Sequence, residues 1–336
     1  MKGVDGNMDL KENTIANNAA ELTRRLKLDR ILTKKNMLAF IFAFFRYVLL
    51  IGLGFIILFP FISKITTSFM PLIDTQDPTV VFIPRNPSLV NYIRILTETD
   101  ILKGAMMSFL TSILYAVFTT ASCSVVAYGL SKFKLKISGL ITALIVFTIL
   151  VPPQTVIVSI VKYFKYFNMG VGFYLPFLNL GTGDITNTPW PLIILGITGF
   201  GFRAGLYTLI MRQFFNGVPD QLIEAAYVDG SGVTKTFLRI IMPLSVPVLM
   251  TVFLFSFCWQ WTDIFYSRVL FEEAPTIATS VFALWDQITV GQGIINTHNT
   301  IIVNTASLIA IAPLIVLFLF CQKAFVQGIE RSGIVG

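Results

Sequence analysis

Long apolar runs alternate with short polar ones along most of the chain. Six apolar stretches stand out, at about 47–63, 104–131, 137–161, 191–211, 244–262 and 301–319. Each is near the roughly 20 residues that an α-helix needs to cross a bilayer. The pattern therefore predicts an all-α integral membrane protein with six transmembrane helices. The first run starts at Met37 but contains Arg46; an arginine extends its head back to the interface, so the spanning part is placed from Tyr47. The third contains Pro152-Pro153, which should free a backbone carbonyl and kink the helix. In the fourth, Gly201 and Gly205 have GxxxG spacing, which permits close helix contact, and Arg203 lies between them. An arginine at mid-membrane costs about 2.5–3.5 kcal/mol on insertion scales. Arg203 is thus expected to face a partner or a wet cavity, or to sit at a local break in the helix.

The polar segments divide the chain further. Residues 1–46 form an N-terminal extension, 47–319 the six-span domain, and 320–336 a C-terminal tail. Met1–Ala20 reads as disordered. Glu21–Lys35, with Leu22 and Leu26 on one face, fits either a basic helix on the membrane surface or a solvated extension. A cleaved signal peptide does not fit, because the apolar run is too long and starts too late. Between the fourth and fifth spans, residues 219–243 predict a helix-turn-helix. Pro219 suits a helix start, and Leu222, Ala225, Ala226 and Asp229 fall on one face. That face is narrow and smooth, open to close approach by another protein. Gly230 suits a left-handed cap, and Ser231 an N-cap for a second helix ending at Pro243. An ordinary loop is the plain alternative.

Composition narrows the class. Of 336 residues 55% are hydrophobic and only 13% charged, too few charges to cover a soluble protein of this size. The net charge of +7 is unevenly spread: 17 of the 25 Lys and Arg fall in 1–46, 132–136, 212–243 and 320–336. Only 7 fall in 64–103, 162–190 and 263–300. This positive-inside asymmetry puts both termini and residues 219–243 in the cytoplasm. The charge then reflects topology and gives no reason to expect nucleic acid. Cys123, Cys258 and Cys321 all sit in apolar runs and read as small buried hydrophobes.

Several chemistries drop out. A self-powered secondary transporter should carry membrane-embedded carboxylates, and none occurs in the six stretches, with Asp263 only at an edge. His298 is the only histidine, and no nucleophile–base or metal constellation is visible, so an enzyme is not expected and no cofactor or metal is assigned to this chain. Gly230–Thr236 imitates a phosphate loop, but Thr234 stands where that loop needs glycine before Lys235. Gln260, Asn304 and Thr305 are polar groups that lipid does not accommodate cheaply, which makes the fifth and sixth helices candidates to line a pathway. Trp259 and Trp261 fit either sugar stacking there or an interfacial aromatic belt.

Glu224-Ala225-Ala226, Gly230, Ile240 and Pro243 together resemble the EAA loop of membrane-spanning subunits of binding-protein-dependent ABC importers, with Met242 for the usual leucine. Other segments are similar to the same family: Asn91-Tyr92, Ala127–Phe133, Asn187–Trp190, Met211–Phe215, Trp261–Phe265 and Phe325–Gly336. Met107-Ser108 departs from an Asn-Ser pair, and Gly170–Thr186 reads as an insertion. The resemblance runs from about Tyr92 to the C-terminus and favours the carbohydrate (maltose and multiple-sugar) class. It implies a permease subunit in the bacterial plasma (inner) membrane, forming half of a pathway for an oligosaccharide delivered by an extracytoplasmic binding protein. A non-sugar solute is the nearest rival. The implied partners are a second homologous permease, making a heterodimer, and two cytoplasmic ATPase subunits that use ATP and Mg. The implied ATPase-coupling residues are Glu224, Ala225, Ala226, Asp229, Gly230, Ile240 and Pro243.

Overall fold

The computed structural model describes residues 34–133, 135–168, 182–272, 274–292 and 297–333. The readings of Met1–Ala20, of the extension up to residue 33, and of the insertion from Gly170 to residue 181 lie outside these. The chain forms two compact units, Met1–Ser63 and Lys64–Gly336. The first is, in its described part, the body of helix α1 (Lys34–Ser68), which passes Arg46 and Pro60 without a break. The Arg46 guanidinium lies 5.5 Å over the Tyr47 ring, so aromatic contact covers part of its charge.

The second unit opens with a polar segment holding helices α2 (Leu72–Gln76) and α3 (Val90–Glu98). Its four prolines disfavour long helices, and side chains pin the intervening backbone. Buried Asn91 donates from Nδ2 to the carbonyls of Ser68 (3.0 Å) and Met70 (2.8 Å). Buried Asp74 accepts the Asn86 backbone N–H and side-chain amide, both at 3.0 Å. Arg85 pairs with Asp77 at 2.7 Å. The Asn86 backbone N–H, with its side chain and Arg85 assisting, holds the Asp74 carboxyl below its ordinary range against the opposing effect of burial.

Helix α4 (Ile101–Lys132) is the hub, packed by the helices at Trp190–Thr198, Ala204–Asn216, Val246–Trp261 and Ile277–Gln292. Gly104, Ser108, Ser112, Ala116, Thr119, Cys123 and Ala127 are buried along it at helical spacing, and their small size lets neighbours approach. Thr111 beside them satisfies its hydroxyl locally, on the Met107 carbonyl at 2.8 Å. Ser108, the serine of the pair in which Met107 replaces the usual asparagine, accepts the Ile277 N–H at 2.9 Å. It thereby caps helix α13 (Ile277–Gln292), which lies in a segment that the apolar pattern leaves as loop.

Three expected spans depart from simple helices. The third is two helices, α5 (Ser138–Leu150) and α6 (Pro153–Lys165), meeting at 97°. Each proline forces the residue before it out of the helical region, and Val151 and Pro152 are both extended. The expected kink is therefore a full break. The fourth divides into α7 (Trp190–Thr198) and α8 (Ala204–Asn216), with Gly199 at φ 73° and Arg203 at φ 66°. Gly201 and Gly205 accordingly do not share one helix face. Added carbons would meet the Tyr115 ring at Gly201, and Thr148 and the Ile145 carbonyl of α5 at Gly205. The fifth, α11 (Val246–Trp261), bends by 78° from the helix before it.

A short α12 (Phe265–Leu270) precedes α13, and α14 (Thr297–Gly333) closes the chain. Helix α14 runs past residue 319 without interruption, so the tail begins as helix rather than as a separate segment. Two-residue strands at Phe167–Asn168 and Thr182–Gly183 pair antiparallel. Among the described residues three helices are long and apolar enough to cross a bilayer, or five if each of two bent pairs is one span. Cys123, Cys258 and Cys321 are free thiols, buried or half-buried.

Candidate functional site: the 219–243 loop and the break in the fourth apolar stretch

Helix α9 (Asp220–Val228) begins after extended Pro219, with the Asp220 carboxylate in its first turn, where the helix dipole favours it. The helix ends as a Schellman motif: Gly230 N–H reaches the Tyr227 carbonyl at 3.0 Å and Ser231 N–H the Ala226 carbonyl at 2.9 Å. Gly230 takes φ 76° with nothing within 4 Å of an added carbon, so backbone conformation alone demands glycine there. Ser231 belongs to this cap; the N-cap of α10 (Val233–Leu244) is Gly232, with no side-chain cap bond.

The exposed face differs from the expected one by a single residue. Leu222, Glu224, Ala225 and Asp229 are exposed, whereas Ala226 is buried with Ile223 against the chain's own core. Ile223 packs with Tyr128, Phe215, Val218, Phe237 and Ile241. The Ile223–Ala226 spacing of three turns those side chains inward, leaving 222, 225 and 229 outward. Helix α10 carries a π turn at Phe237–Ile241. Pro243 donates no N–H and would crowd the carbonyl four residues back, and a widened turn relieves both problems. Ile241 is fully buried, Ile240 only half-buried and Pro243 exposed, so Pro243 lies within the helix and does not end it.

Lys132, at the end of α4, fastens this loop to the hub. Its Nζ donates to the Val218 carbonyl at 2.6 Å and to Asp220 at 2.7 Å, with the lysine side chain only 8% exposed. Ser131 donates to Asn216 at 2.6 Å beside it. The Tyr128 ring lies 4.8 Å from Phe237 and 5.8 Å from Phe215. The loop is thus a rigid extension of α4, and α10 feeds at its bend directly into α11.

The far end of α11 reaches the break in the fourth stretch. The Tyr115 hydroxyl donates to the Phe202 carbonyl at 2.7 Å, and Ser122 to the Gly196 carbonyl at 2.6 Å, so two backbone acceptors near the break are satisfied. The Arg203 guanidinium lies 3.0 Å over the Trp259 ring. Around it a cavity of about 40 Å³ is lined by Tyr115, Phe202, Arg203, Tyr207, Trp259, Gln260, Asp263 and Tyr266. Asp263 accepts the Ser267 N–H at 2.8 Å.

Of the pathway candidates, the structure brings only Trp259 and Gln260 to this cavity. Trp261 is buried, donates from Nε1 to the Ala310 carbonyl at 2.9 Å, and stacks on Phe257, so its ring is a packing element. Thr305 is buried with its hydroxyl on the Ile301 carbonyl at 2.8 Å, and Asn304 is half-buried; neither lines the cavity. Tyr115, Tyr207 and Tyr266 carried no signal beyond being aromatic in or beside apolar runs. A larger cavity, about 480 Å³, lies between Glu98, Asp100, Arg268 and Glu272. Two of its three carboxylates are paired, Glu98 with Arg94 and Asp100 with Lys103, and both pairs are exposed, which marks a solvated face. Among the described residues no group of His, Cys, Asp and Glu could hold a metal ion.

Residues 120–331 match the family model described as binding-protein-dependent transport system inner membrane component. The probable ABC transporter permease protein YurM of Bacillus subtilis (strain 168) is 28% identical over 233 residues, 69% of each chain. The galactooligosaccharides transport system permease protein GanQ of the same strain is 26% identical over 303 residues, 87% of this chain and 95% of that one. Among solved structures, a bacterial ABC transporter involved in the import of the acidic polysaccharide alginate contains a similar chain. That chain superposes with a TM-score of 0.69 at 19% identity, over 87% of this chain and 98% of its own length. At that identity the likeness is one of fold.

Proposed function

Because this chain belongs to the family of binding-protein-dependent transport system inner membrane components, we propose that it is a permease subunit of an ATP-driven carbohydrate importer. In this reading it forms half of the pathway for an oligosaccharide. A second homologous permease completes the pathway, an extracytoplasmic binding protein delivers the solute, and two cytoplasmic ATPase subunits bind and hydrolyse ATP with Mg. The sugar assignment draws on named relatives, GanQ and the melibiose/raffinose/stachyose import permease protein MelC of Bacillus subtilis (strain 168) among them.

The topology that goes with this reading has six spans in the inner membrane and both termini in the cytoplasm. In this reading the three long helices, the bent pair α5 and α6, and α11 alone, with α10 left in the cytoplasmic loop, make five spans, and α7 with α8, interrupted by Gly199–Arg203, makes the sixth. Non-helical backbone at membrane depth is tolerated where protein buries it or a wet cavity receives it. The break meets that condition through Tyr115 and the Arg203 cavity. Residues 1–46 stay in the cytoplasm as an extension, 47–319 form the permease domain, and 320–336 return to the cytoplasm.

The observation that carries the proposal is the 219–243 loop. A docking helix must offer an open face and must not yield when pushed. Leu222, Ala225 and Asp229 offer the face, with Glu224 beside it for a basic partner residue. The Schellman cap at Gly230, the packing of Ile223 in the core and the Lys132 fastening resist yielding. Ile240 and Pro243 shape the π turn through which force passes into α11. Helix α11 has 16 residues, and at 1.5 Å per residue it transmits that force over about 24 Å to Trp259 and Gln260. Cysteines at Leu222 and Ala225, in an otherwise Cys-free chain assembled with its partners, are expected to cross-link to the ATPase subunit. A cysteine at Ile223 is not. Equal labelling at 223 and 225, or none at 222 and 225, would overturn the assignment.

A further inference from the structure

Arg203 is a cation that its own chain positions with care and that forms no ion pair among the described residues. Its backbone takes φ 66°, a left-handed conformation that non-glycine residues adopt only under strain. The Tyr115 hydroxyl on the neighbouring Phe202 carbonyl holds the break open. Trp259 covers one face of the guanidinium at 3.0 Å, and the stacked rings of Phe202 and Tyr266 line the same cavity. The in-plane N–H groups of the guanidinium remain, and no carboxylate of the described residues pairs with them. The nearest candidate, Asp263, has one oxygen engaged by the Ser267 N–H at the start of α12. Arg203 is also the N-cap of α8, a 13-residue helix whose N-terminal dipole adds positive potential at the same place.

Such a donor edge fits one ligand chemistry best. A planar guanidinium with one face closed by an aromatic ring binds carboxylates through two parallel N–H bonds. The cavity, about 40 Å³, admits a carboxylate or a few waters but no pyranose ring. Trp259 offers a sugar ring at most its other face, because the arginine occupies one of them. We propose that Arg203 recognises a carboxylate borne by the transported saccharide, so that the cargo is a uronate-containing oligosaccharide rather than a neutral one. The proposal rests on the importer reading above. Gln260 adds an amide donor beside the guanidinium, and Asp263, the one opposing charge lining the cavity, tempers affinity so that the cargo is released.

The test uses cells of the source organism with the chain deleted and then restored as wild type, R203Q, R203K or D263N. Uptake of tri-galacturonate, tri-glucuronate and tri-mannuronate is compared with that of galactotriose, cellotriose and mannotriose. Deletion is expected to abolish uptake of at least one acidic trisaccharide and of no neutral one. R203Q should raise KM for that cargo at least about tenfold, as loss of a charge-assisted bidentate contact does, with R203K intermediate. D263N retains an oxygen for the Ser267 N–H and should lower KM. Loss of neutral trisaccharides alone would overturn the carboxylate proposal and leave the importer reading standing. No change for any trisaccharide on deletion would end both. Acidic uptake with an unchanged KM in R203Q would remove Arg203 from recognition. Should immunoblots show R203Q missing from the membrane, D263N decides, and an unchanged or higher KM there would overturn the proposal.

Discussion

At the scale of single residues, the two alanines of the 219–243 loop have opposite surroundings and should behave differently. Ala225 is exposed and Ala226 buried. Ala226→Trp inserts a large ring against the core around Ile223, where overpacking costs about 1–3 kcal/mol or more. Its membrane level is expected to fall on immunoblots, whereas Ala225→Trp should leave that level unchanged. Gly230 offers a cleaner contrast, because space around it is open and only φ matters. Gly230→Asn should retain most transport, since asparagine tolerates the left-handed region, and Gly230→Val should lose it, with uptake rate as the measure. Equal loss in both would mean that the side chain, not the backbone, is what the position excludes.

The Asp74 carboxyl gives a pH prediction outside the membrane helices. Hydrogen bonds from Asn86 lower its folded-state pKa below the ordinary 3.8. A depressed carboxyl contributes stability above its unfolded pKa and loses it as pH falls through the folded value. The segment from Met70 to Asn91 should therefore keep its hydrogen-exchange protection at neutral pH and lose it only below about pH 4. Asp74→Ala should lose that protection at neutral pH already; protection in the variant equal to wild type would contradict the role assigned to Asp74.

At the scale of elements, the fastening of α9 to α4 is the interaction to break. Lys132→Met leaves the Val218 carbonyl and Asp220 without their charged donor, a loss of about 1–3 kcal/mol for bonds to a charged group. Because Asp220 is exposed, the lower end applies. Uptake is expected to drop severalfold with assembly retained, and Lys132→Arg should restore part of it. This contact was legible only in part. The run Ala127–Phe133 stood out by resemblance, but no local pattern ties residue 132 to 218 and 220. The helix breaks divide in the same way. Pro152-Pro153 announced an interruption, and its 97° size follows from two consecutive prolines acting on their predecessors. The division at Gly199–Arg203 has no proline, and only the misplaced charge of Arg203 hinted at it. Helix α13 stayed hidden because its cap, Ser108, comes from 169 residues away. The turn at Gly230, by contrast, is local chemistry and could be read directly.

At the scale of the whole molecule, apolar periodicity made the membrane class legible, and the resemblance at Glu224-Ala225-Ala226, Gly230, Ile240 and Pro243 made the family legible. The pathway residues were not. Trp261, Asn304 and Thr305 are polar or aromatic in the sequence, yet Trp261 and Thr305 spend those groups within the protein. Arg203 and Asp263, far apart in sequence, meet at one cavity. What unites loop and cavity is α11, which runs from the bend at Ser245 to Gln260 with no break. The central claim is that partner ATPases act on the pathway through the exposed face of α9. The most direct measurement is ATP hydrolysis stimulated by cargo-loaded binding protein, in proteoliposomes holding the full complex with wild-type or Ala225→Trp chain. The account predicts equal amounts of assembled complex and hydrolysis reduced to the unstimulated rate in the variant; full stimulation of assembled Ala225→Trp complexes would contradict it.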